Sequence, residues 1–182
     1  MRHLTESELE AGLAEIRASP PDGGVVELVV RRPATDEREL LDKAELSRSD
    51  GLVGDTWRDR GSSRTPDGSA NPDMQLTIIN ARLSLLVAGD PQRRALAGDQ
   101  LHVDLDLSLE NLPPGSRLRM GTAVVEITEH PHTGCKKFSA RFGPEAMRFV
   151  NSPVGRALRL RGANARVVEE GTVSVGDSVT KV

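Results

Sequence analysis

The 182-residue chain has one cysteine, in the segment Glu129-His130-Pro131-His132-Thr133-Gly134-Cys135-Lys136-Lys137-Phe138. A thiol followed by two lysines is a candidate for chemistry, because nearby cations favour the thiolate, the form that attacks electrophiles and binds metals. Gly134, with no Cβ, lets a ligand come close to the backbone. Three readings compete. A lone cysteine is commonly a small buried hydrophobe, but proline, glycine and a lysine pair make a poor core. His130, His132 and Cys135 could be nitrogen and sulfur ligands for zinc, although the spacing is loose and no fourth ligand is evident. The favoured reading is a thiolate that acts with neighbouring cations on an anionic cofactor, as a soft sulfur donor suited to a heavy transition metal. The inert thiol ranks next and zinc last. His132, three residues before the thiol, is a candidate proton partner for it.

Charge supports a local anionic ligand. Net charge is only −3, so the chain as a whole is no polyanion binder. Residues 135–162 carry Lys136, Lys137, Arg141, Arg148, Arg156, Arg159 and Arg161 against Glu145 alone, or +6, leaving −9 elsewhere. Of the chain's lysines, Lys43, Lys136, Lys137 and Lys181, two directly follow the cysteine. With no tyrosine, one tryptophan and three phenylalanines, the chain lacks the stacking platform of single-strand binders, which argues against nucleic acid. No apolar stretch approaches the roughly 20 residues of a membrane helix. The start MRHLTESELE has no apolar core for a signal peptide. A free thiol suits a reducing compartment, so a cytoplasmic location away from membranes is expected.

The elements that must position this segment are mostly strands. Residues 4–18 read as an amphipathic helix with Thr5 and Glu8 at capping-box spacing, ended by the breaker run 19–24. Residues 25–30 read as a buried strand, and 35–46 as a short helix or a loop. Residues 58–73 are polar and rich in breakers, a long surface loop of the kind that is often functional. A strand follows over 74–79, then a helix capped by Asn80 that Pro91 interrupts. Alternation over 101–107 predicts a strand with one buried face, with His102 expected at the surface. A hairpin about Gly121-Thr122, a short helix opening at Pro144 and closing strands over 159–168 and 173–179 complete the chain. Trp57 reads as packing. The fold class is therefore mainly β, a barrel-like rolled sheet with a few peripheral helices. It divides into an N-terminal helix and linker (1–24) and a barrel domain (25–182).

Three ordered stretches resemble the MOSC family, named for the C-terminal domain of molybdenum cofactor sulfurases, in its small stand-alone bacterial form. Gly51-Leu52-Val53-Gly54-Asp55 is similar to the family's early G-L-x-G-D motif. Gly98-Asp99-Gln100-Leu101, with Leu118-Arg119-Met120-Gly121 after it, resembles a G-E-N-L segment and the R-x-G that follows. Thr133-Gly134-Cys135-Lys136-Lys137 and Arg141-Phe142-Gly143 resemble the cysteine signature. The likeness spans about residues 25–180. Departures are Asp99-Gln100 for Glu-Asn, Gly134 where many members have proline, and Arg60-Gly61-Ser62-Ser63 in place of a His-Gly-Gly run.

The resemblance implies a β-barrel that binds molybdenum cofactor (molybdopterin). Cys135 would be metal ligand and catalytic thiol with His132 beside it, and Lys136, Lys137, Arg141, Asp99 and Gln100 would surround the cofactor. Arg141, Arg156 and Arg159 are candidates for a pterin phosphate. The implied chemistry is oxidoreductase chemistry on N-hydroxylated small molecules, which needs an external electron donor. Two alternatives stay open. Cys135 could carry a persulfide, with a pyridoxal phosphate-dependent cysteine desulfurase as partner, or the barrel could be a non-enzymatic anion-binding module.

Overall fold

The computed structural model describes residues 2–182. Its strands are β1 (Gly24–Arg31), β2 (Glu39–Leu41), β3 (Lys43–Ser47), β4 (Gly51–Leu52), β5 (Leu76–Asn80), β6 (Leu101–Asp104), β7 (Arg117–Met120), β8 (Ala123–Ile127), β9 (Ala163–Glu169), β10 (Gly171–Ser174) and β11 (Ser178–Lys181). Seven of them close into a barrel in the order β1-β6-β5-β9-β8-β7-β11, and β11 returns to β1 through Gly24 opposite Val179. Closure removes the exposed sheet edges that an open sheet would leave. β2 extends β1 on its outer side, and β10-β3-β4 form a small second sheet. Ala44, Leu46, Leu52 and Val173 of that sheet join the barrel interior, so both sheets share one core.

The parallel pair β5–β6 requires a crossover, supplied by α4 (Ala81–Ala88) and a 3-10 turn over Pro91–Ala97. Asn80 caps α4, its side-chain oxygen accepting from Leu83 N–H at 3.0 Å. This helix covers the outer face of β6. That explains His102, which is fully buried rather than at the surface, its Nδ1 2.9 Å from Ser84 Oγ on α4. Periodicity reports which residues share a face, but a crossover helix decides whether the second face is also covered.

Helices α1 (Glu6–Ala11), α2 (Leu13–Arg17), α5 (Lys136–Phe142), α6 (Pro144–Asn151) and α7 (Pro153–Ala157) gather against the same side. A second apolar cluster there includes Leu9, Ile16, Ile79, Leu83, Phe138, Phe142 and Val150. The Thr5–Glu8 capping box forms, with Gly12 separating α1 from α2. A short α3 (Trp57–Arg60) opens the polar loop, and Trp57 is buried as expected. The 35–46 stretch is a correction: it forms β2 and most of β3, not a helix or plain loop. Ala44 and Leu46 alternate inward while Leu40 stays 58% exposed, so the leucines there are not one helical face. No helix among the described residues is long and apolar enough to cross a membrane.

Candidate functional site

A cavity of about 440 Å3 lies between the α5 segment, the turn after β1 and the 58–73 loop. Seven cations line it, Arg32, Arg38, Arg60, Arg64, Lys137, Arg141 and Arg161, against one lining acid, Asp36. Two of the arginines are fixed from behind by buried carboxylates. Arg32 donates to both oxygens of Asp55, from Nε at 2.8 Å and Nη2 at 2.7 Å, and from Nη1 to Gly98 O at 3.1 Å. Asp55 also accepts from Trp57 N–H at 2.9 Å, so the acid of the early glycine motif anchors an arginine and starts α3. Arg161 Nη1 contacts Asp99 Oδ1 and Oδ2 at 2.9 and 2.7 Å, and Nη2 donates to Ala97 O. Its guanidinium stacks over Phe138 with Cζ 4.9 Å from the ring centroid. Burial pushes the Asp99 carboxyl up from its ordinary range, and Arg161 pulls against that.

Arg38 and Arg60 are different. Arg38 has a buried Nε without a partner, and the Arg60 side chain makes no hydrogen bond or ion pair among the described residues. Burial, then neighbouring cations, holds both guanidinium groups below their ordinary range. Partly desolvated cations with unmet donors favour an incoming anion.

Cys135 is exposed, lines this cavity and is the N-cap residue of α5. Asn151 clamps the residue before it: Gly134 N–H donates to Asn151 Oδ1 at 2.9 Å, and Asn151 Nδ2 donates to Gly134 O at 3.3 Å. A proline at 134 would lack that N–H, and a Cβ there would sit 3.0 Å from Val150 Cγ2. The departure at 134 is therefore matched to Asn151. Lys137 Nζ and Arg141 Nη2 both reach Asp36 Oδ1 at 3.0 Å, tying α5 to the turn after β1. The Lys137 hydrogen bond holds the exposed Asp36 carboxyl below its ordinary range.

His132 also lines the cavity, its Nδ1 3.4 Å from Asp99 Oδ1 and without a hydrogen-bond partner among the described residues. Burial first, then Arg161 and Arg32, pushes its pKa well down, so the imidazole is neutral near pH 7. Gly162 makes this approach possible. It holds φ at +102°, and a Cβ would meet Ile78 O and come within 3.3 Å of His132 Nδ1.

Of the residues expected from sequence, Cys135, His132, Lys137 and Arg141 come together here. Lys136 is exposed and does not line the cavity. Asp99 and Gln100 are fully buried behind it. Asp99 is committed to Arg161, and Gln100 Oε1 accepts from Thr77 N–H and hydroxyl at 2.8 and 2.6 Å. Both support the wall from behind and have no lining surface. Arg156 and Arg159 face a second cavity instead. The sequence reading named no role for Arg32, Arg38, Arg64 or Asn164; Asp55 stood only in the early motif, Arg60 only in the 58–73 loop, and Arg161 only within the basic 135–162 segment. The zinc reading finds no support, since no three His, Cys, Asp or Glu side chains among the described residues form a metal-ligating group.

Fold and site together define a small closed barrel with an arginine-rich cavity and one exposed thiol at its edge. The MOSC domain family model matches residues 70–180, and the chain belongs to that family. Among solved structures it is similar to YuaD from Bacillus subtilis, at 18% identity and a TM-score of 0.58 over 86% of this chain and 93% of that one. It is also similar to YiiM from Escherichia coli, at 21% identity and 0.55 over 87% and 69%. A structure titled only as a hypothetical protein is 22% identical at 0.58 over 88% and 67%. These likenesses show the fold. No curated protein matches the chain.

Proposed function

We propose that the arginine-rich cavity binds molybdenum cofactor, with the Cys135 thiolate as a ligand to its metal. The observation that carries this is one exposed thiol on a cavity lined by seven cations. The residues fit such a group. A soft sulfur donor is available, Arg38 and Arg60 have unmet donors for a phosphate, and the family is associated with this cofactor. One thiol without a protein-built metal cage also suits a metal that arrives already ligated. When bound, the cofactor would supply two-electron redox chemistry, with N-hydroxylated small molecules as the substrate class and an external electron donor.

The chain's own residues would do the positioning. Asp99 and Asp55 hold Arg161 and Arg32 rigid, so their charge is set in place before any ligand arrives. Asn151 fixes the approach of the Cys135 backbone. His132, kept neutral, would offer an uncharged imidazole for hydrogen bonding at the cavity wall.

The test is composition. Protein purified from a host that makes the cofactor should contain molybdenum and release a pterin, and Cys135→Ala should lose the metal. Cyanide-releasable sulfur without molybdenum would instead favour the persulfide carrier and its desulfurase partner. Neither metal nor labile sulfur would leave an anion-binding module.

A further inference from the structure

A second cavity of about 480 Å3 lies on the other side of a wall made by His132, Arg161 and Asn164, which line both. Its volume is within the about 300–1,000 Å3 of ordinary small-molecule sites. Its character differs from that of the first. Leu109, Pro114 and Val150 give it apolar lining, and Leu109 is 47% exposed at the surface. Two arginines outside the first cavity, Arg156 and Arg159, also line it, with Glu129 as its one acid.

Arg159 is the built element. Its φ is +47°, a left-handed conformation that costs a non-glycine residue about 1–2 kcal/mol. Its Nη1 donates to Leu112 O, and no acid among the described residues pairs with it. Burial alone holds this guanidinium below its ordinary range. Asn164, in the wall that the two cavities share, carries a buried acceptor. Asn164 is 1% exposed, and its Nδ2 donates to His130 O at 3.0 Å, which fixes the amide orientation. Its Oδ1 is left buried without a hydrogen-bond partner among the described residues. A buried acceptor in this state costs about 1–3 kcal/mol unless something donates to it.

We infer that the second cavity is a binding site for a small carboxylic acid with an apolar body and a hydroxyl group. The carboxylate pairs with Arg159, the body lies against Leu109, Pro114 and Val150, and the hydroxyl donates to Asn164 Oδ1. The site stands whether or not the first cavity holds a cofactor. A ligand seated in it would reach the wall that the two cavities share.

The probe is 4-hydroxybenzoate, titrated calorimetrically into the full chain. Saturable binding of one molecule per chain is expected. Benzoate, which lacks the donor for Asn164, should bind about tenfold more weakly, and Arg159→Gln should weaken 4-hydroxybenzoate by about tenfold or more. Arg159 also anchors the 107–112 segment, so Leu109→Glu is the second variant. It places a like charge at an exposed rim position and should abolish binding with the thermal midpoint unchanged. Arg60→Gln, in the first cavity, should leave the affinity as it is. The proposal is overturned if no saturation occurs, if benzoate binds as well, or if Leu109→Glu retains binding. It is also overturned if Arg60→Gln removes binding, since the ligand would then occupy the first cavity.

Discussion

The two cavities share a wall and solve different problems. The first is lined by cations, two of them fixed by buried acids and three, Arg38, Arg60 and Arg64, without an anionic partner among the described residues. The second has a mostly uncharged lining, with Arg156, half-buried Arg159 and the shared Arg161 against Glu129, and Asn164 in its wall. The contrast shows that counting positive charge does not locate an anion site. Residues 135–162 are strongly basic, yet Arg148 pairs with Glu145 on an exposed helix face, and Arg156 and Arg159 serve the other cavity. What defines the first site is charge that the fold has desolvated and left unpaired.

The shared wall is the place to break the comparison. Asp99→Ala would leave the buried Arg161 cation uncompensated, a loss of about 3–5 kcal/mol. Urea denaturation should record it, and both cavities should lose their ligands together. A loss below about 1 kcal/mol would show that Arg161 relaxes to solvent. Gly162→Ala should cost about 1–3 kcal/mol, because the residue holds a left-handed φ against Ile78 O. It should also disturb His132, visible as a shifted imidazole resonance.

The double change Arg38→Gln and Arg60→Gln separates the two sites. It should weaken phosphate binding by about 1.5–3 kcal/mol for each charged hydrogen bond lost, as read by calorimetry. Stability should hold or rise slightly, since two desolvated cations disappear. Binding of 4-hydroxybenzoate should not change.

A further expected effect is in pH dependence. Burial holds His102 down at about 3, against 6.5 in the unfolded chain. The unfolded state therefore binds one more proton between those values, and stability falls as pH drops from about 6.5 towards about 3. Replacing His102 with Gln should flatten that slope by about 1.4 kcal/mol per pH unit. An unchanged slope would mean that other groups dominate acid unfolding.

Much of the barrel could be read from sequence because its signals are local. The 121–122 hairpin, the Asn80 cap and the Pro144 helix start each follow from residues a few positions apart. Closure of the barrel does not, since β1 meets β11 across almost the whole chain. The site divides in the same way. Cys135 and its lysines stand out as a run, and Lys137 and Arg141 are one helical turn apart on α5. Arg32 and Asp55, or Asp99 and Arg161, are pairs that only the closed fold creates, 23 and 62 residues apart. Family likeness pointed to Asp55 and Asp99 but not to their task of holding arginines. The 35–46 strands were obscured because exposed Leu40 imitates helical spacing.

The central claim concerns one sulfur atom. X-ray absorption at the molybdenum edge, on cofactor-loaded wild type and on Cys135→Ser, tests it most directly, since serine keeps an oxygen donor at that position. The account predicts one sulfur neighbour fewer per molybdenum in the variant, replaced by a lighter ligand. An unchanged sulfur shell in loaded Cys135→Ser would contradict it.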